Sequence, residues 1–476
     1  MSESLPPLPS ALGTQESVVG QIETFLETVL TELVPPSPEH RGRGVRAVLP
    51  ELCLWAGMLV CVLRGFRSQR AIWRLLTLHG LWSFGRVSVC DEAVYDRLER
   101  GGTAPLERIF TQVTTVLRAR LEPYTETALA PFATEVVALD ETLLDKVLRL
   151  LPPLRQATGM TGLPGRLATV FDLRRQQFCR AQVIGDATER ETLHARDLVS
   201  GLPAKSLILF DLGYFAFPWF DDLTAASYYF LSRVRTPLTW DPLCTLAKTD
   251  AVLDQLVFLG AYRADQAAHA VRLIEVTVGT HTYRYITNVL DPTRFSVHDI
   301  VQLYGRRWDV ELAFKLIKRH LGMHLFWSGK SVVLKQQIWA TLTIAQVLLA
   351  FWKEVAGRAR VDVFDVSLAL LISEAPTLAQ AGRDPIAVLV AEGRRVGIIR
   401  PNRRITRTTP PIDPACYHTP PSDLVLTRPA RYGSGQGSYP LTPSEVIDHS
   451  SPVWKPASPE RRGRGSRSSR HSRHDT

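Results

Sequence analysis

The chain is poor in cysteine and has nothing that pairs it. Six cysteines (Cys53, Cys61, Cys90, Cys179, Cys244, Cys416) are scattered through 476 residues, with no CxxC pair and no Cys/His cluster at zinc spacing. That argues against a disulfide framework or a zinc module and for reduced thiols in a reducing compartment. Long hydrophobic runs are missing as well. The apolar stretches Leu52–Leu63 and Ile338–Trp352 fall short of the ~20 residues of a membrane span, and the second contains Thr341, Thr343 and Gln346. Both are expected to be buried helices, with no membrane partner. The opening segment MSESLPPLPSALGTQES has neither a basic start nor an apolar run, so no export signal is expected. No GxxxxGK[ST] nucleotide loop and no internal repeat occur.

What is present is an ordinary globular balance: 45% hydrophobic and 22% charged residues, enough to bury a sizeable core. Basic residues number 56 against 47 acidic, a formal +9. A surplus of that sign favours a polyanionic partner, nucleic acid before membrane. Much of it is local, since Lys455–Thr476 carries seven Lys/Arg and two Asp/Glu.

Six regions are expected along the chain. Residues 1–16 are Pro/Ser-rich and loose. Residues 17–130 read as helical, broken at PPSPEHRGRG (35–44), and could bind DNA. Within them Arg67, Arg70 and Arg74 lie at i, i+3 and i+7, which would put them on one helical face. A solvated basic face on a small bundle is the simpler account of that row. At Glu135 the rhythm changes to strands: EVVALDET, then 166–173 and 177–185 joined tightly at RRQ, then SLILFDLGYF (206–215) after a helical ETLHARDLVSGL. Strands, helix and strand make an α/β core over 131–216. Residues 217–296, with AVRLIEVTVG and TYRYITNVL, read as a β-rich insertion. Residues 297–385 return to helix, with Ser296 as a candidate N-cap. Residues 386–476 are Arg/Pro-rich and end in a low-complexity basic tail, which is expected to be disordered.

Three acids stand out by position. Asp140 ends VVALD, Asp211 ends LILFD, and Glu311 lies in the helix beyond the β-rich stretch. Carboxylates at strand ends project at one sheet edge, and a helix across that edge can add a third. Such hard oxygen ligands suit Mg²⁺, with Mn²⁺ as a substitute. Two ions so held can clamp the attacking and leaving oxygens of an in-line phosphoryl transfer. Each acid alone is more simply a cap or turn residue. Tyr304, Arg307, Glu311 and Lys318 are spaced 3, 4 and 7 apart, which places them on one face of a continuous helix. Leu303, Val310, Phe314 and Ile317 could cover the core beside them, leaving the row at a border where a ligand could lie.

The row reads Y304-GR-R307-WDV-E311-LAFKLI-K318, and it resembles the Tyr-(2)-Arg-(3)-Glu-(6)-Lys signature of DDE transposases of the insertion-sequence family 4 type. Glu141-Thr142 after Asp140 fits the family's Asp-x-Thr, and Asp211-Leu-Gly-Tyr-Phe resembles its Asp-x-Gly-Tyr/Phe. The resemblance covers about 135–350. It implies an RNase H-like core interrupted by a β insertion, with Asp140, Asp211 and Glu311 as the catalytic, metal-binding triad. It further implies that Tyr304, Arg307 and Lys318 contact the phosphates and terminal bases of the transposon end, and that Trp308 helps hold an end with a flipped base and a hairpin. The partners implied are double-stranded DNA, as transposon ends and target, and a second copy of the chain in the DNA complex. The location implied is cytoplasmic, at the nucleoid.

Smaller features carry weaker expectations. Arg233 and Arg235 could reach DNA, and Lys315 and Arg319 could meet backbone phosphate. His320 and His324 read as surface residues. Glu135 and Asp145 are decoys for the first acid, and Asp309 reads as solvated. Glu141 should point away from Asp140 if the strand stays extended. Two other functions fit less well: a metal-dependent nuclease on the same core, and a catalytically silent DNA-binding relic.

Overall fold

The structure is a computed structural model and describes residues 18–33, 49–120, 129–144, 165–185, 191–260, 265–381, 383–401, 409–410, 412–433, 441 and 443. Residues 1–16, the break at 35–44, Asp145 and the basic tail beyond 443, for which expectations were given above, lie outside them.

A mixed α/β fold is built on one large sheet. Helices α1 (Val18–Leu33), α2 (Glu51–Leu63), α3 (Gln69–Arg74), α4 (Asp91–Gly101) and α5 (Ala104–Arg120) come first. Strands β1 (Val136–Leu143), β2 (Arg166–Asp172) and β3 (Gln177–Ile184) follow, then α6 (Glu191–Val199), β4 (Leu207–Phe210), α7 (Phe217–Ala225) and β5 (Tyr229–Arg233). Next are β6 (Trp240–Lys248), β7 (Val252–Leu259), β8 (Val271–Val278) and β9 (His281–Thr287). The remaining helices are α8 (Val297–Arg306), α9 (Asp309–Lys315), α10 (Ser331–Ala359), α11 (Leu368–Gln380) and α12 (Pro385–Glu392).

The strand order is β3-β2-β1-β4-β5-β9-β8-β7-β6. β2 runs antiparallel to its neighbours β1 and β3, whereas β4 and β5 run parallel to β1. The central strands are apolar on both faces because both are covered. Val136, Ala138, Leu207 and Leu209 face a core shared with α1–α5 and α8–α12, while Val137, Leu139, Ile208 and Phe210 face α6 and α7.

Helix α10 is long and apolar enough to cross a membrane by length and composition, and 89% of its most apolar window is buried inside the protein. Its polar residues are used. Gln346 receives Phe178 N at 2.9 Å and donates to Phe178 O at 2.7 Å, closing part of the sheet's β3 edge. Gln336 donates to the carbonyls of Leu98 and Gly102, tying α10 to α4.

Four departures from the sequence reading have physical causes. The fourth strand ends at Phe210 rather than Phe215, because Asp211 Oδ1 accepts from Gly213 N at 2.8 Å and caps a 3₁₀ turn (Leu212–Tyr214). The stretch 217–296 opens with α7 and with β5, which pairs parallel with β4, and β6–β9 extend the same sheet through β5–β9 pairing. The helix beginning at Ser296 is interrupted: Arg307 N and Trp308 N bond three residues back, to Tyr304 O and Gly305 O, and a π turn occupies Leu316–His320. Within the Arg/Pro-rich region, residues 412–433 lie along the sheet's far half. Arg428 there donates to Ala267 O at 3.0 Å and Leu259 O at 2.6 Å, pairs with Asp241 at 2.9 Å, and stacks over Phe258.

Candidate active site

Asp140 and Asp211 reach the same end of the sheet because their strands are parallel neighbours, with Ala138 opposite Leu209. Asp140 shares strand parity with Val136 and Ala138, so it faces the helical layer that holds α8 and α9. There Arg307 bridges two acids. Its Nη1 donates to Asp140 Oδ2 at 2.8 Å and its Nη2 to Glu311 Oε1 at 3.0 Å. The Asp140 and Arg307 side chains are mostly buried; that of Glu311 is 38% exposed, open to a ligand.

Burial pushes the Asp140 carboxyl up to about 6, against the pull of Arg307 and a backbone N–H, with Asp211 and Glu311 adding to the rise. Two further acids therefore act on Asp140 at this edge. The oxygen-only donor set of the three suits a hard divalent cation, and the guanidinium already takes a cation's place between two of them. Among the described residues, no three His, Cys, Asp or Glu side chains close into a metal-holding group.

Tyr304 is buried, its ring 5.3 Å from that of Tyr285, and burial pushes its phenol up to about 12. Arg307, Arg233 and Asp211 are among the charges that act on it. Arg233 stands one residue past Ser232, which pairs with Phe210, so it is exposed at the same edge as Asp211. Trp308 is 57% exposed, with the Arg307 guanidinium 5.4 Å from its ring centroid. Lys318, carried in the π turn, donates to Thr142 Oγ1 and Leu143 O and so fastens that turn to the end of β1. The expected flanking cover of Leu303, Val310, Phe314 and Ile317 is buried.

The other candidates separate cleanly. Glu135 is held by Arg118 at 2.7 Å, away from the site. Glu141 pairs with Arg166 at 2.8 Å in a buried position. Arg235 lines a cavity of about 360 Å³ with Phe215, Phe217, Pro237 and Asp265. Lys315, Arg319, His320 and His324 are exposed. His324 Nδ1 lies 2.6 Å from Lys318 O, and burial, with Arg319 and Lys315, lowers the His320 imidazole.

Asp309 is the correction. It is not solvated but fully buried, accepting from Gln176 Nε2 and Arg306 Nε at 2.9 Å each. Sequence reasoning also missed Gln176, which sits in the β2–β3 hairpin. The i, i+3 spacing of Arg306 and Asp309 was the one signal that could have found the pair.

This candidate site brings together Asp140, which lies within β1 rather than at its end, Asp211, just past the end of β4, and Glu311 of α9, with Arg307 bridging Asp140 and Glu311. Residues 134–348, which contain every member of that site, match the family model of the transposase DDE domain. The match supports DNA transposition by a DDE-type enzyme. None of the curated proteins matches the chain. Among solved structures it is similar to the piggyBac transposase synaptic complex with hairpin DNA, determined by cryo-EM, at 9% identity and a TM-score of 0.37 over 80% of this chain and 83% of that one.

Proposed function

We propose that this chain is a transposase that cuts DNA at transposon ends and joins the freed ends to target DNA by metal-dependent phosphoryl transfer on an RNase H-like core. The observation that carries the reading is the meeting of Asp140 and Glu311, from opposite ends of the matched segment, on one guanidinium beside Asp211. The strand order β3-β2-β1-β4-β5, with β4 and β5 parallel to β1, supports the RNase H-like core.

Asp140, Asp211 and Glu311 would hold Mg²⁺ or Mn²⁺, which when bound supplies charge to polarise the scissile phosphate and to activate the attacking oxygen. Arg307, released in part from its carboxylates, would neutralise phosphate charge. Tyr304, Arg233 and Lys318 border the same edge, where the phosphodiester of a DNA end would lie. Water attacks the phosphorus at the transposon end and a 3′-hydroxyl leaves. That hydroxyl then attacks the opposite strand to give a hairpin, and Trp308 offers an exposed ring on which an unpaired base can stack. A second water reopens the hairpin, and the 3′-hydroxyl attacks target DNA. Two ends must be handled together, so the working form on DNA is a homodimer, acting in the cytoplasm on nucleoid DNA.

The test is cleavage of a labelled duplex carrying the terminus that flanks the gene, in Mg²⁺, by wild type, Asp140→Ala and Glu311→Ala. Nicking that yields a hairpin, lost in both variants while duplex binding persists, is expected. Nicking without hairpin or strand transfer would replace the reading with a nuclease. Binding without cleavage in Mg²⁺ or Mn²⁺ would leave a DNA-binding relic.

A further inference from the structure

We infer that Asp309 is a positioning residue that sets the distance between Glu311 and Asp140, acting through Gln176 and Arg306; the inference rests on the functional reading above. Asp309 opens α9, the helix that carries Glu311 two residues later. Its side chain has no solvent exposure, so it cannot touch DNA, and it faces the hairpin that joins β2 to β3. β2 is the strand paired with β1, with Thr169 opposite Asp140. The Gln176–Asp309 hydrogen bond therefore links the element bearing one acid to the sheet bearing the other.

Both ends of the link are themselves fixed. Gln176 adopts a left-handed backbone (φ 56°), a conformation a non-glycine residue keeps only when held, and its Nε2 also donates to Leu173 O at 2.9 Å. Arg306 Nε pairs with Asp309, and the Arg306 guanidinium lies 4.8 Å from the centroid of the Phe364 ring. Phe364 packs edge-on against Trp352 of α10. The clamp closes over the helix interruption at Arg307 and Trp308, whose backbone N–H groups bond three residues back instead of four. With Arg306 and Asp309 drawn inward, Arg307 is left aimed at Asp140 and Glu311, and Trp308 faces solvent. Buried polar partners that orient ligating carboxylates are worth about 10–100-fold in metal affinity or activity.

The test uses the full chain with Asp309→Asn, Gln176→Leu and Glu311→Ala. Mn²⁺ binding is followed by electron paramagnetic resonance, duplex binding by anisotropy in EDTA, folding by thermal melting, and cleavage across a Mn²⁺ series. Asp309→Asn is expected to raise the Mn²⁺ half-saturation by about 10-fold or more. Duplex affinity should be unchanged and cleavage restored at saturating Mn²⁺. Gln176→Leu, which keeps the Asp309–Arg306 pair, should shift the same way by less. A purely structural role would instead lower melting temperature and duplex affinity together, with no rescue by metal, and that result overturns the inference. So does Mn²⁺ binding that Asp309→Asn leaves at the wild-type level while Glu311→Ala abolishes it. A wild-type protein that binds no Mn²⁺ overturns the functional reading itself, and this inference with it.

Discussion

The chain carries two rows of polar side chains at helical spacing, and they fare differently. Arg67, Arg70 and Arg74 were expected to share one face, but Ser68 caps α3, so Arg67 stands outside the helix. Arg70 pairs at 2.8 Å with Asp91, an acid 21 residues on, and Arg74 is exposed. In the second row Arg307 reaches Asp140 across 167 residues and Lys318 reaches Thr142 across 176. Each row has a π turn at its C-terminal end: the first stops at Arg74, just before Leu75–His79, and the second ends inside Leu316–His320. Helical irregularity therefore does not separate them. What separates them is where their partners come from: a row that finds its counter-charges in a distant strand is built by the whole fold, and one that finds them in the next helix is not.

The largest effect that would break this contrast is at the acids. Asp140→Asn and Glu311→Gln should lower cleavage by about 10³-fold or more, the equivalent of several kcal/mol of lost charge stabilisation in the transition state. Single-turnover rates on a labelled end measure it, and a loss of tenfold or less (about 1.4 kcal/mol) would demote the row to a structural pair. Next is the bridge. Arg307→Gln leaves Asp140 mostly buried with no guanidinium beside it, at a cost of about 3 kcal/mol in urea denaturation. Unchanged stability would mean that the carboxylate is solvated after all.

Much of this was legible in the residues, and the remainder was not for identifiable reasons. β1, β2 and β3 fall within about a residue of their expected bounds, because alternation and the tight RRQ turn are local signals. β5 has five residues, and only its pairing with β4 and β9 distinguishes it from a loop. The acids were visible because each ends an apolar run or keeps a helical interval. The burial of Asp309 was hidden: spacing places a residue on a face, and only packing decides that a β-hairpin covers that face. The interruption at Arg307 was equally hidden, since Gly305-Arg306-Arg307-Trp308 contains no proline to announce it. The same holds for Arg428, whose carbonyl partners belong to strand ends far away in sequence.

Trp308 sharpens the comparison from the other side, because it follows Arg307 of the long-range row yet is largely exposed, with the Arg307 guanidinium beside its ring. Trp308→Ala should change folding stability by less than about 0.5 kcal/mol. It should weaken hairpin-end binding by about 1–3 kcal/mol, the value of one stacked base. Anisotropy on hairpin and blunt duplexes checks it; equal loss on both would assign Trp308 to general contact rather than to an unpaired base.

The smallest effects belong to the local row. Neither Arg70→Ala nor Arg74→Ala should move the denaturation midpoint, because both side chains stand in solvent and an exposed ion pair is screened by water and salt. Their difference should appear in the salt dependence of DNA binding. Arg74 has no ion-pair partner among the described residues, and if it meets a phosphate its loss lowers the slope of log affinity against log salt by about one. Arg70 is already engaged by Asp91, so Arg70→Ala should leave the slope alone. A slope that falls for both would mean that Arg70 trades Asp91 for phosphate when DNA binds, as Arg307 is proposed to trade its carboxylates. The two rows would then differ in reach but not in kind. A slope unmoved by either would leave the N-terminal row as solvated surface, and the helical bundle as packing for α10 rather than a DNA-docking face.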